Sequence, residues 1–137
     1  MFQGLNRLTQ PELDFELRLQ EERKNSVKFI LSRIESPFIS FDTLNDIIFE
    51  LENYKSLLPA ELEKYRYDLF EDIFSKLFFR RDYLSKKHKP ENLFENSEKF
   101  DFDCIITRDR SLLAALMEMV FLIREIENDF TIKELSV

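Results

Sequence analysis

Glycine occurs once in this chain, at Gly4, and that scarcity excludes a good deal. An all-β protein needs turn residues every few positions, and a loop that cradles phosphate needs several glycines together, so neither fits. Cys104 is also alone, which rules out an internal disulfide framework and suits a reducing, intracellular compartment, whether cytoplasm, nucleoid or nucleus. Long apolar runs are missing. The best, Leu112 to Ile123, is interrupted by Glu118 and falls short of the ~20 residues that a membrane span requires. The opening "MFQGLNRLTQPELDFE" has no basic start followed by an apolar run, so no secretion signal is read there.

Positive charge is in short supply as well. Against 27 acidic residues stand 20 basic ones, for a net charge of −7. Non-specific binding to nucleic acid works by neutralising phosphates with Lys and Arg, and anionic membrane surfaces attract the same side chains, so neither is expected as a partner. An acidic balance fits an acidic protein that meets basic partners or simply stays dissolved.

What is abundant is phenylalanine, at 15 residues with no tryptophan. A phenyl ring has no polar handle, so most of these must lie in a core or an interface. With 137 residues, 44% of them hydrophobic and 34% charged, the chain is expected to fold as a single helical domain over residues 1–137.

Helical periods run through most of it. Thr9-Gln-Pro-Glu12 is a helix start: Thr9 can accept from free amides, Glu12 can reach back, and Pro11 fits the first turn. Leu13, Phe15, Leu17 and Leu19 then alternate with polar residues, the period of a half-buried strand. The stretch has no β-branched residue and is rich in Leu, Glu, Arg and Gln, so a helix is expected, with Leu13/Leu17 and Phe15/Leu19 on different sides. Val27, Ile30, Leu31 and Ile34 form the core-facing set of a second helix, which Pro37 ends. A third begins near Ser40 or Asp42 and carries Leu44, Ile47, Ile48, Leu51 and Leu58. The longest is expected over about 60–87, with Glu61 and Glu63 in its first turn. Its apolar arc of Leu62, Leu69, Phe70, Ile73, Phe74, Leu77, Phe78 and Leu84 is wide enough for the central helix of a bundle. Phe79 falls opposite that arc, near Tyr65 and Tyr83 in angle.

Residues 88–108 break the period and read as an irregular connector with one short extended piece at "KFDFDCII". Asp109 or Ser111 caps a last helix that runs to about Phe130. There Leu112, Leu116, Met119, Val120, Ile123 and Phe130 make one face, and Leu113, Met117, Phe121 and Leu122 widen it beyond what one neighbour covers. The fold class expected is therefore all-α: a bundle of about five helices with a long central helix and one irregular connector.

Chemistry is hard to find. His88 and Cys104 are single, and a helix-end "KKHKP" reads as a solvated basic tail. Asp101 and Asp103 lack the glycine and distal glutamate of a calcium loop. Glu71 and Asp72 are adjacent and diverge on a helix. No catalytic residue, cofactor or metal is expected, and the chain reads as non-enzymatic. Arg80 and Arg81 stand out because they interrupt the apolar arc of the long helix, Arg81 near its middle. Either they lay their stems on the core and snorkel outward, or they pair with a carboxylate of another helix or subunit, for which Glu127 is an internal candidate. Of the basic residues, Arg81 is expected to carry the most weight.

The order of elements resembles a known one. "LTQPELDFELRLQEE" opens the chain. "YDLFEDIFSKLFFRRDYLSKK" forms a long helix, acidic first and basic last, and "SLLAALMEMVFLIREIENDF" closes the series. This pattern resembles the helical domain of GINS subunits, the assembly that bridges components of the replicative helicase, over roughly residues 5–130. The resemblance implies a protein–protein interaction module of DNA replication, held in a homo- or hetero-oligomer. The partner-binding residues would be Phe79, Arg80, Arg81, Leu113, Met117, Phe121 and Leu122. GINS subunits usually add a small β domain, for which neither end of this sequence has room. The alternative is an acidic helical protein of a virus or mobile element that occupies a basic surface of a nucleic-acid enzyme by charge mimicry.

Overall fold

The computed structural model describes residues 9–36, 38–88 and 106–131. The chain is an all-α bundle of four long helices: α1 (Gln10–Ile34), α2 (Phe41–Ser56), α3 (Lys64–His88) and α4 (Arg110–Phe130). Residues 106–108 are also helical, and no strand occurs among the described residues. The connector expected over 88–108 lies mostly outside the described residues, together with Cys104, Asp101 and Asp103.

Three of the four helix starts have a side-chain cap. Thr9 accepts from the amide of Glu12, Ser40 from that of Thr43, and Asp109 from that of Leu112. Each relieves one of the free amides of a first turn. The α3 start departs from expectation. Residues 60–63 form a turn, Tyr67 donates its amide to the Glu63 carbonyl at 3.1 Å, and so Glu61 and Glu63 precede the helix rather than fill its first turn. Residues 10–34 also form one unbroken helix where two were expected. Nothing between Leu19 and Val27 breaks it, since Gln20 to Ser26 contain neither Pro nor Gly.

Side-chain pairs give the packing order. Ser26 on α1 bonds Glu50 on α2, Lys55 on α2 pairs with Glu71 on α3, and Arg66 on α3 pairs with Asp129 near the end of α4. The helices therefore alternate in direction around a closed ring, α1–α2–α3–α4–α1, an up-down-up-down bundle. Ile30, Leu44, Ile47, Leu51, Phe70, Ile73, Leu77, Met119 and Ile126 fill the middle and are buried. Each contributes roughly 1.5–3 kcal/mol of transfer free energy. Thr107 fastens the turn between α1 and α2 by accepting from the Ile39 amide at 3.1 Å and donating to the Ile39 carbonyl at 2.9 Å.

The first part of α1 is little covered by the described residues. Arg23 reaches the Leu57 carbonyl just past the end of α2, and no residue from Gln10 to Glu22 is buried. These 13 residues extend about 20 Å at the rise of an α-helix.

Candidate functional site

Charged side chains inside the bundle pair with one another. At the end where α1 leaves α2, the guanidinium of Arg23, 2% exposed, donates through Nε to Glu127 at 3.1 Å and through Nη1 to the Leu57 carbonyl at 3.2 Å. The Tyr54 hydroxyl donates to the same Glu127 carboxylate at 2.7 Å. Burial pushes the Tyr54 phenol well above its ordinary pKa, and the neighbouring Glu127 charge and hydrogen bond push it further, so it remains a donor. One carboxylate thus ties α1, α2 and α4 together. Glu127 was the internal candidate for Arg81. The structure gives it to Arg23 instead, because α1 and not the far end of α3 lies beside the end of α4.

Nearby, Arg66 lies among three carboxylates: Asp129 at 2.6 Å, Glu125 at 3.3 Å and Glu63 at 3.2 Å. Its Nε and Nη1 are buried with no hydrogen-bond partner among the described residues. Burial opposes the charge, yet the hydrogen bonds to Asp129 and Tyr65 and the nearby Asp129 and Glu63 charges together more than restore it, and the group is held above the usual arginine range.

Arg80 and Arg81 have separate fates. Arg80 grips Asp109 with two prongs, Nε to Oδ1 at 3.0 Å and Nη2 to Oδ2 at 2.7 Å. That hydrogen bond, against some loss to burial, raises its pKa. Asp109 is also the cap of α4, so this pair sets where α4 begins. Arg81, half-buried, donates to the Asn45 amide oxygen at 3.0 Å and to its neighbour Asp82 at 3.2 Å, with its guanidinium 4.6 Å from the centre of the Phe78 ring. The expectation that Arg81 would outrank the other basic residues does not fit this geometry. Arg23 and Arg66 are the buried arginines, and Arg80 has the two-pronged contact.

The apolar quartet expected on the last helix also divides. Leu122 is buried and Leu113 packs against the core, whereas Met117 and Phe121 are 51% and 67% exposed. The difference follows from direction: α4 meets both α3 and α1, so its buried arc covers Leu112, Ala115, Leu116, Met119, Val120, Leu122, Ile123 and Ile126 and leaves only the outer strip to solvent. On α3, Phe79 faces outward as expected and is 68% exposed. Beside it a groove of about 370 Å³ runs between α3 and α4, with Tyr83, Arg80 and Lys76 on one side and Ala115 and Glu118 on the other. Lys76 and Glu118 face each other across it at 3.7 Å. The Arg80 guanidinium lies 4.8 Å from the centre of the Tyr83 ring. A second open groove, between α1 and α2, has a mixed lining that includes Glu22, Phe29, Glu50 and Leu57, and Glu50 accepts from Ser26 at 2.9 Å and Asn53 at 2.7 Å.

Among the described residues, no group of three or more His, Cys, Asp or Glu side chains is arranged to hold a metal ion. No described helix is long and apolar enough to cross a membrane. Comparison with protein-family models, with curated proteins and with solved structures finds no match.

Proposed function

We propose that this chain is a non-enzymatic protein–protein interaction module, a subunit whose work is contact with other macromolecules. One observation carries the reading. The bundle has a filled core, yet Phe79, Met117 and Phe121 stand more than half exposed on the outer sides of α3 and α4. Large aromatic and thioether side chains at a surface are the usual anchors of interfaces, where they bury much area at low entropic cost. The inward polar groups support it too, because Arg23, Arg66 and Arg80 are each engaged by a carboxylate and serve the fold.

The assembly to test first is of the GINS kind. The support is the order of helices, the acidic-to-basic long helix and the apolar last helix, all of them features of pattern. The full chain, tagged and expressed in its native host, is used to capture partners, alongside a variant with Met117→Ser and Phe121→Ser. Both positions are exposed, so the variant should keep its helix content. Partners retained by the native chain and lost by the variant support the reading. Equal recovery with both removes the outer face of α4 from the interface.

A further inference from the structure

The stripe that α1 turns to the core does not end with the core. Ile30, Ser26 and Arg23 are buried, and the same helical line continues through Leu19, half-buried, to Phe15, 51% exposed. Leu17, on the other side, is 39% exposed. This arm is strongly acidic: Glu12, Asp14, Glu16, Glu21 and Glu22 stand against Arg18 alone, and none of the five is in an ion pair among the described residues. A helix with apolar positions on two sides and uncompensated carboxylates suits an apolar groove with a basic rim.

Such a groove lies at the opposite end of the same molecule. The α3/α4 cleft presents Phe79 and Tyr83 with Ala115 at its floor. Residues 76–88 and 106–118 around it contain seven Lys or Arg against three acidic residues, in a chain that is acidic overall. Lys76 and Arg80 in its walls are paired with Glu118 and Asp109, and Lys87 stands 5.5 Å from the centre of the Tyr83 ring. Lys86, Lys87, Arg108 and Arg110 are exposed, and none of them forms an ion pair among the described residues. The arm cannot reach this groove in its own molecule. It departs from the bundle end marked by Arg23 and Glu127, whereas the groove lies toward Asp109, about 14–24 Å up α4 at the rise of a helix. Pairing arm with arm would set five carboxylates against five, which is repulsive.

We propose that copies of this chain join head to tail, the acidic arm of one seated in the basic aromatic groove of the next, with Phe15 against Phe79 and Tyr83. The proposal rests on the interaction-module reading and gives that module its first partner, a second copy. A heterologous contact of this kind repeats, into a ring or an open filament.

The test uses the purified full chain and light scattering over a range of concentrations. Species larger than a monomer are expected, and they should dissociate as salt rises from about 0.05 to 0.5 M, because the rim contacts are exposed. Phe15→Asp and Phe79→Asp replace exposed rings and should leave helix content unchanged. Each should raise the midpoint concentration for assembly roughly tenfold or more, as for loss of an interface anchor. Mixing the two variants is decisive. Each keeps the half that the other lacks, so together they should form a 1:1 dimer that grows no further. A native chain that stays monomeric at low salt overturns the proposal. So does assembly that either variant leaves untouched, or a mixture that remains monomeric. Those results leave capture of other proteins through Met117 and Phe121 as a separate question.

Discussion

Arg23 and Glu127, separated by 104 residues, meet at 3.1 Å where α1 leaves the bundle, and the Tyr54 hydroxyl closes on the same carboxylate at 2.7 Å. Arg23 is 2% exposed, so the pair is screened little by solvent. Removing one side strands a buried charge, which costs more than the pair itself contributes. Arg23→Met keeps the stem and should lower stability by about 3–5 kcal/mol. Replacing all three groups, as Arg23→Met, Tyr54→Phe and Glu127→Leu, should cost far less than the sum of the single changes. Urea unfolding checks this through the midpoint, provided the slope stays constant. Additive losses would show that the three groups act independently.

Tyr54 supplies an alkaline signature. Its phenol is raised above the ordinary value of 10.0 by burial and by Glu127. The folded chain therefore keeps this proton where the unfolded chain gives it up. The contribution to stability is complete below pH ~10 and is lost as pH climbs above it. Ultraviolet titration of the four tyrosines should show one that ionises only together with unfolding. In Tyr54→Phe that delayed step should vanish. A delayed step that survives in this variant would assign it to another ring.

The Arg80–Asp109 pair has two jobs that substitution separates. Asp109→Asn keeps an oxygen for the Leu112 amide and loses the charge that Arg80 grips, whereas Asp109→Ala loses both. The cap alone is worth about 1 kcal/mol. Asp109→Ala should therefore destabilise more than Asp109→Asn by about that amount, and Arg80→Lys, which cannot form the two-pronged contact, should resemble Asp109→Asn. Arg81→Met should cost less than either, since Arg81 bonds only a neutral amide and its own neighbour. Thermal unfolding of the four variants ranks them, and an Arg81→Met loss equal to that of Asp109→Ala would reverse the assignment.

What was legible in the sequence was whatever one helix determines by itself. The caps at Thr9, Ser40 and Asp109, the buried sets on α2 and α4, and the outward position of Phe79 all follow from local chemistry and a 3.6-residue period. What was not legible depends on which helix lies next to which. A buried arginine looks like a polar interruption until its partner is known, and Glu127 comes from the far end of the chain. A signal was present nonetheless. Arg23 lies on the line of Leu19, Ser26 and Ile30, and Arg66 lies four residues before Phe70, so both occupy core-facing positions of otherwise apolar stripes. The breadth of the last helix's apolar face misled in the other direction. Leu122 belongs to the core because α4 has two neighbours rather than one, which no single-helix count can show.

That division makes the sharpest test of where partner contact ends and folding begins, because Phe121 and Leu122 are adjacent in sequence. Leu122, 3% exposed, packs in the core, whereas Phe121, 67% exposed, faces outward. Leu122→Ala opens a cavity and should lower stability by about 2–5 kcal/mol. Phe121→Ala removes a ring that the bundle hardly covers, so its effect should stay within about 0.5 kcal/mol, the range for open surface positions. Capture of partners should show the opposite order: lost with Phe121→Ala at a temperature where both variants are folded, and retained with Leu122→Ala. Chemical unfolding read by circular dichroism gives the first comparison, and capture by the tagged chain gives the second. If Phe121→Ala destabilises as much as Leu122→Ala, the ring is part of the fold, and the outer strip of α4 loses its claim as an interface.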